Sequence, residues 1–382
     1  MKKMGLIILA IGLFLFVQAA QAQWEPAQRL TWNSGESFRP RVAVDSSGGV
    51  HLVWSDTTPG DSEIYYKQST DGGGTWATSQ RITFSSGSPG NPDIAVDSTG
   101  GLHVVWEDEA PGNSEIYYKR SLDGGATWST SKRLTWNEGM SWNPAVAVDS
   151  LDNLHVAWAD MTPGNFEIYY KMSTDGGVTW STSKNLSLTS GNSCSPAIAV
   201  DSSNRIHVAW SDATPGNMEI YYRKSTDKGN TWAASQRLSW TAEASAQPGI
   251  AVDASGRIHV AWSDSTPGDS EIYYKKSTDG GSTWTAGKSL TANSGDSLSP
   301  ALAVSALGNI HLVWSDKTPG SGEVYYRKSA DQGATWTAAE RLTWNSGSSD
   351  VPDIAVYGSD NIHVFWYDFT PGNSEIYYKR QK

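Results

Sequence analysis

Apolar residues along the chain fall in short runs separated by Gly-, Pro-, Asp- and Ser-rich clusters, with no stretch of helical periodicity. Residues 92–136 show the pattern. PDIAVDSTGG reads as an apolar strand ending in a Gly-rich hairpin turn, LHVVWED as a second strand, EIYYKRS as a third and WSTSKRLTW as a fourth with polar alternation. Between them, EDEAPGN suits a type II Pro-Gly turn and SLDGGATW a second turn. Short β-branched and aromatic runs bounded by turn residues are strand signals. The first three strands lack clean in/out alternation, which predicts that both of their faces are packed.

The same unit recurs every 52 residues. All seven histidines lie on that lattice, from His51 through His103 to His363, and fourteen of the sixteen prolines form two sets of seven, Pro40 to Pro352 and Pro59 to Pro371. Trp54, Trp106, Trp158, Trp210, Trp262, Trp314 and Trp366 form another set. A period near fifty with four strands per unit predicts a propeller. The ends of the repeat array agree. The chain stops after EIYYKRQK, a third strand, while WEPAQRLTW at the other end places Trp24 and Arg29 at the spacing of Trp76 and Arg81. The orphan fourth strand would complete the last blade and remove an exposed sheet edge. The expected fold is all-β: a seven-bladed β-propeller with four antiparallel strands per blade, closed by its N-terminal strand.

Lys2 and Lys3, an apolar run from Gly5 to Val17 and the small-x-small site Ala20-Gln21-Ala22 read as a secretory signal over residues 1–22. The propeller domain is then 23–382, and an exported, soluble product is expected. No other segment has the apolar length of a membrane helix, so integral membrane contact is not expected. Net charge is -11, and losing Lys2 and Lys3 makes it more negative, which disfavours nucleic acid as a partner. Cys194 is the single cysteine, so no internal disulfide forms, and Cys/His metal spacing is absent. The histidines sit mid-strand, one per unit, where a hydrogen-bonded buried imidazole is expected in place of a metal site. No metal or cofactor is expected.

STDGGGTW (69–76), SLDGGATW (121–128), STDGGVTW (173–180), STDKGNTW (225–232), STDGGSTW (277–284) and SADQGATW (329–336) match S-x-D-x-G-x-T-W, the Asp-box. Over essentially all of 24–382 the chain resembles BNR-repeat proteins and sialidases. The resemblance implies that Asp71, Asp123, Asp175, Asp227, Asp279 and Asp331 are structural, in turns between strands three and four on the face opposite the functional one. The chemistry of the turn agrees: the carboxylate can accept turn amides, glycine permits positive φ, and Trp76 can plug the gap between blades.

The resemblance also assigns the ligand face to loops such as SDTTPGDSE and WNSGESFRP. Asp56, Asp108, Asp160, Asp212, Asp264, Asp316 and Asp368 begin the first of these loops, and Glu63 and its equivalents end it. Two readings stand: turn caps and ion pairs that stabilise each hairpin, or seven copies of a carboxylate-and-aromatic sugar site. The repeats disagree most just before the strand-one proline, at Phe38-Arg39, Gly90-Asn91, Trp142-Asn143, Cys194-Ser195, Ala246-Gln247, Leu298-Ser299 and Asp350-Val351. An asymmetric ligand needs such differences, so Phe38, Arg39, Asn91, Trp142, Asn143, Gln247 and Asp350 are candidates at the mouth of the central channel. Arg41 faces Asp93 and Asp353 in the flanking units, which predicts a charged cluster.

Phe38-Arg39-Pro40 resembles the sialidase F/Y-R-I-P motif but lacks the residue between Arg and Pro, and no arginine triad can be assembled. The first expectation is therefore a secreted, non-catalytic propeller binding glycans or a cell-surface polysaccharide. The alternatives are a glycoside hydrolase or polysaccharide lyase, for which Glu107 and Glu109 are the main acidic departures from symmetry, and a structural envelope protein.

Overall fold

A computed structural model describes residues 23–266 and 268–382; the expected signal segment 1–22 lies outside them. Seven four-stranded antiparallel sheets form the ring. Blade 1 contains Ser37–Val44, Val50–Asp56, Glu63–Ser69 and Gln80–Arg81, innermost strand first, and blades 2 to 6 repeat it. Blade 7 contains Ser349–Tyr357, Asn361–Asp368 and Glu375–Gln381, and its fourth strand is Gln28–Arg29. Gln28 pairs with Tyr378 and Arg29 with Tyr377, Trp24 bridges to Gln381, and Arg29 meets the buried Glu375 at 2.7 Å. The ring closes as the repeat phase requires.

The core lies between blades. Val53, Ile64, Tyr66 and Ile82 of blade 1 pack on Ile94, Leu102, Val104 and Trp106 of blade 2, and the same pattern recurs around the ring. This explains why second strands such as Val50–Asp56 are buried at every position. Each histidine ties its blade together. His51 Nδ1 meets the Tyr66 hydroxyl at 2.8 Å, Nε2 lies 3.1 Å from Asp45, and the same hydroxyl donates to the Gly124 carbonyl of the next blade at 3.1 Å. Burial lowers the His51 pKa against the pull of Asp45, which favours a neutral imidazole.

The Asp-box turns work as their chemistry suggests. Asp71 accepts the Gly74 and Thr75 amides at 2.8 Å and the Ser69 hydroxyl at 2.7 Å. Gly73, at φ 82°, has no room for a side chain because the Tyr378 hydroxyl occupies that space. Trp76 packs edge-on against Phe365 and Tyr378 of blade 7.

Two local expectations are corrected. The fourth strand is only Lys132–Arg133 in blade 2, far shorter than WSTSKRLTW. Trp128 leaves the ladder to pack against Tyr66 of the preceding blade, and isolated bonds, Ser129 N–H to Arg120 O and Leu134 N–H to Ile116 O, hold the flanks. The Pro-Gly turn also starts one residue earlier than type II geometry needs. Asp108 accepts the Ala110 N–H at 2.9 Å and the closing bond runs from Gly112 N–H to Glu109 O, so Pro111 is third in the turn and Gly112, at φ 101°, follows it.

Candidate functional site: the mouth of the central channel

The first strands surround a central cavity of about 530 Å³. Each strand breaks register just before its proline, as between Phe38 and Arg41. The bulged residue takes the left-handed conformation in every blade: Arg39 (φ 53°), Asn91 (47°), Asn143 (50°), Ser195 (52°), Gln247 (57°), Ser299 (53°) and Val351 (46°). Such bulges re-aim side chains, and here these seven residues line the cavity.

The residue before the bulge pairs across to the second strand, a large side chain meeting a small one at Phe38, Trp142 and Leu298 and two small ones meeting at Ala246 and Ser263. Phe38 pairs with Ser55, Trp142 with Ala159, Cys194 with Ser211, Leu298 with Ser315 and Asp350 with Tyr367, whereas Gly90 faces Glu107. In two blades the serine hydroxyl also accepts the bulge N–H of the next blade, Gln247 to Ser211 at 3.2 Å and Val351 to Ser315 at 3.1 Å. Glu107 takes over this task and adds another. Its Oε2 accepts the Asn143 N–H at 2.8 Å, its Oε1 accepts the Asn91 amide at 2.5 Å, and Arg39 donates to the Asn91 carbonyl oxygen. A polar relay, Arg39–Asn91–Glu107–Asn143, thus crosses blades 1 to 3. Burial pushes the Glu107 carboxyl up, ahead of the opposing pull of its hydrogen bonds and of Arg39.

Blade 7 extends the arc. Burial raises the Tyr367 phenol, with Asp350 adding to the shift and Arg39 opposing it, so both charges act on that ring. Asp350 accepts the Ser348 hydroxyl at 2.6 Å. At the other end Trp142 stacks on Phe166, centroids 4.9 Å apart. Across the mouth stand Ser195, Ser299 and the exposed Gln247. Deeper in the channel, Arg41, Asp93 and Asp353 line the same cavity, and among the described residues no ion pair joins them. Asp93 accepts the Val146 N–H and Asp353 the Val42 N–H, each at 2.8 Å, and both feel the Arg41 charge. Burial pushes Asp93 up to about 6 despite Arg41.

The seven loop aspartates are placed elsewhere. Asp56, Asp108, Asp160, Asp212, Asp264, Asp316 and Asp368 are at most 3% exposed. Asp56 accepts Trp54 Nε1 at 3.0 Å, Asn33 at 2.6 Å, the Ser37 hydroxyl at 2.8 Å and the Thr58 N–H at 2.9 Å. These carboxylates staple the loops from inside and offer no surface to a ligand. Glu115, Glu219 and Glu323 likewise pair with Arg133, Arg237 and Arg341 at 2.6–2.7 Å. Among the described residues no cluster of His, Cys, Asp and Glu is arranged to hold a metal ion. Sequence reasoning missed Tyr367 and Phe166; their signal is that both are aromatic departures from their repeat slots.

Seven four-stranded blades joined through Asp-box turns make the chain an Asp-box propeller. The BNR repeat-like domain family matches residues 54–264 and 196–356, and the chain is a member of that family. No curated protein matches its sequence. Solved structures share the fold. One is a protein of unknown function from Dyadobacter fermentans (TM-score 0.61, 15% identity, 95% of this chain and 100% of that one). Another is an ulvan lyase, a polysaccharide lyase (TM-score 0.64, 11% identity, 92% and 95%). A third is the intramolecular trans-sialidase of Ruminococcus gnavus (TM-score 0.55, 15% identity, 93% and 97%).

Proposed function

We propose that this chain is an exported, non-catalytic glycan-binding propeller whose ligand sits at the channel mouth, against Asp350, Tyr367, Arg39, Asn91, Glu107 and Trp142. The observation that carries the reading is the one-sided polar arc. In an otherwise sevenfold molecule, blades 7 to 3 gather the Arg39 cation, the carboxylates, two of the three mouth carboxamides and the aromatic faces on one side of the opening. Mixed donors and acceptors beside aromatic rings suit the hydroxyls and C–H faces of a sugar. The polysaccharide lyase and trans-sialidase among the structural neighbours add support at the level of fold. No described helix is long and apolar enough to cross a membrane.

Glu107 favours a second reading, a glycoside hydrolase or polysaccharide lyase. Catalysis by carboxyl groups needs one acid whose environment sets it apart, and Glu107 is a half-buried acid with a raised pKa in the arc. A glycan array with the full chain and Arg39→Ala separates the cases. The binding reading expects retained glycans and at least tenfold weaker binding by the variant. Product release from a bound glycan moves the assignment to the enzyme, and a blank array sinks the mouth as a glycan site and leaves a structural role.

A further inference from the structure

One slot per unit comes three residues after the short fourth strand ends: Trp32, Phe84, Trp136, Leu188, Trp240, Ala292 and Trp344. The four tryptophans are 66–68% exposed, whereas Trp54 and its equivalents are sealed in the core. Two cations stand against each of these rings. Arg29 and Lys67 lie 5.8 and 5.9 Å from the Trp32 centroid, and Arg133 with Lys171, Arg237 with Lys275 and Arg341 with Lys379 repeat the arrangement at 5.1–5.9 Å. Arg81 lies 4.5 Å from the Phe84 ring. Arg29 ends the short strand that precedes Trp32. Lys67 reaches over from the next blade to the Leu30 carbonyl at 2.8 Å. Each aromatic therefore sits over a seam between blades, fixed by cations and left mostly open.

The set varies as a unit within the chain. Where the aromatic is replaced by Leu188 or Ala292, the arginine becomes Asn185 or Ser289 and the lysine becomes Arg223 or Arg327. Structural duty does not explain the aromatic, because Arg223 and Arg327 still reach the Leu186 and Leu290 carbonyls without it. Beside Trp32 the seam opens into a cavity of about 300 Å³ whose walls include Thr31, Asn33, Thr58, Tyr65, Lys67 and Ser79. Leu30, Trp32 and Trp54 add apolar surface to these hydroxyl, amide and ammonium groups, and that mixture suits the C–H face and the hydroxyls of a sugar ring better than a lipid chain.

We propose that Trp32, Phe84, Trp136, Trp240 and Trp344 are stacking platforms for pyranose rings of one polysaccharide, engaged several at a time. The sites are distinct from the channel mouth and need none of its residues. Each platform alone is a weak site, and a rigid ring of five gains retention through effective concentration.

The test is retention of the full chain on insoluble cellulose, chitin and xylan and on alginate beads. At least one polymer is expected to hold it. Trp32→Ala alone should weaken retention a few-fold, and the quadruple Trp32→Ala, Trp136→Ala, Trp240→Ala, Trp344→Ala variant at least a hundredfold. The melting temperature and any oligosaccharide binding found on the array should stay unchanged, so the rim and the mouth can fail separately. Undiminished retention of the quadruple variant overturns the proposal, as does no retention of the unsubstituted chain on any of the four polymers. Dissociation of an oligomer by the four substitutions also overturns it, because the ring would then be a self-association surface.

Discussion

Glu107 of the second blade accepts the backbone N–H of Asn143 in the third at 2.8 Å, the task that serine hydroxyls perform for Gln247 and Val351. Glu107→Ser therefore keeps an acceptor for the neighbouring bulge while removing a carboxyl that burial disfavours in its charged form. The expected result is a melting temperature equal to or above that of the parent, with ligand affinity at the mouth at least tenfold weaker, about 1.4 kcal/mol. Calorimetric titration with a ligand from the array checks it. Lower stability with affinity intact would make Glu107 a structural strut.

Val351 holds φ 46° in a slot that Asn91 and Asn143 occupy elsewhere. A β-branched residue is strained there, and asparagine tolerates the conformation. Val351→Asn should stabilise the protein by about 1 kcal/mol, read from denaturant unfolding with an unchanged m-value. No gain would mean that the strain is relieved elsewhere or that Val351 packing offsets it.

The fold was legible because its determinants repeat at one spacing. His103, Tyr118 and Gly176 meet through one hydroxyl, and each has a counterpart 52 residues away. Trp24 and Arg29 carried the phase that closes the ring. The site was harder to read because its logic is cross-strand. That Gly90 makes room for Glu107, or that Asp350 faces Tyr367, depends on a register seventeen residues long with a bulge inside it. Trp32 and Trp54 look alike as letters, and only packing shows one exposed and one sealed. The loop aspartates stayed open between two readings for the converse reason. Asp56 has the composition of a sugar ligand, but Trp54, Asn33, Ser37 and Thr58 occupy its acceptor positions.

Leu30, the residue after the closing strand, is buried like its counterpart Leu134 in a covalently continuous blade. If closure is as tight as an ordinary blade, Leu30→Ala and Leu134→Ala should each cost about 2–5 kcal/mol and agree to within about 1 kcal/mol. A much smaller cost at Leu30 would show that the last blade frays in solution.

Two sets of aspartates should pull stability in opposite directions with pH. Asp123 is held at about 2 by the Thr127 hydroxyl, the Thr127 N–H and the Ser121 hydroxyl, and Asp175, Asp227 and Asp331 sit at about 2 through the same contacts. Their folded form gives up its proton more readily than the unfolded chain. The stability they contribute is thus complete above the ordinary value of 3.8 and is lost as pH falls towards 2. Asp93 is the reverse. Burial raises it from 3.8 to about 6, so its favourable contribution is present below 3.8 and disappears as pH rises through 6. Asp93→Asn keeps a carbonyl oxygen for the Val146 N–H and removes the charge. It should gain stability on the order of 1–2 kcal/mol at pH 7.5, the channel lumen screening part of the cost, and nothing at pH 3. Melting curves of both proteins from pH 3 to 8 should converge at the acid end, where both fall together as the Asp-box turns protonate. An equal offset at every pH would show that the Asp93 charge is not the cause.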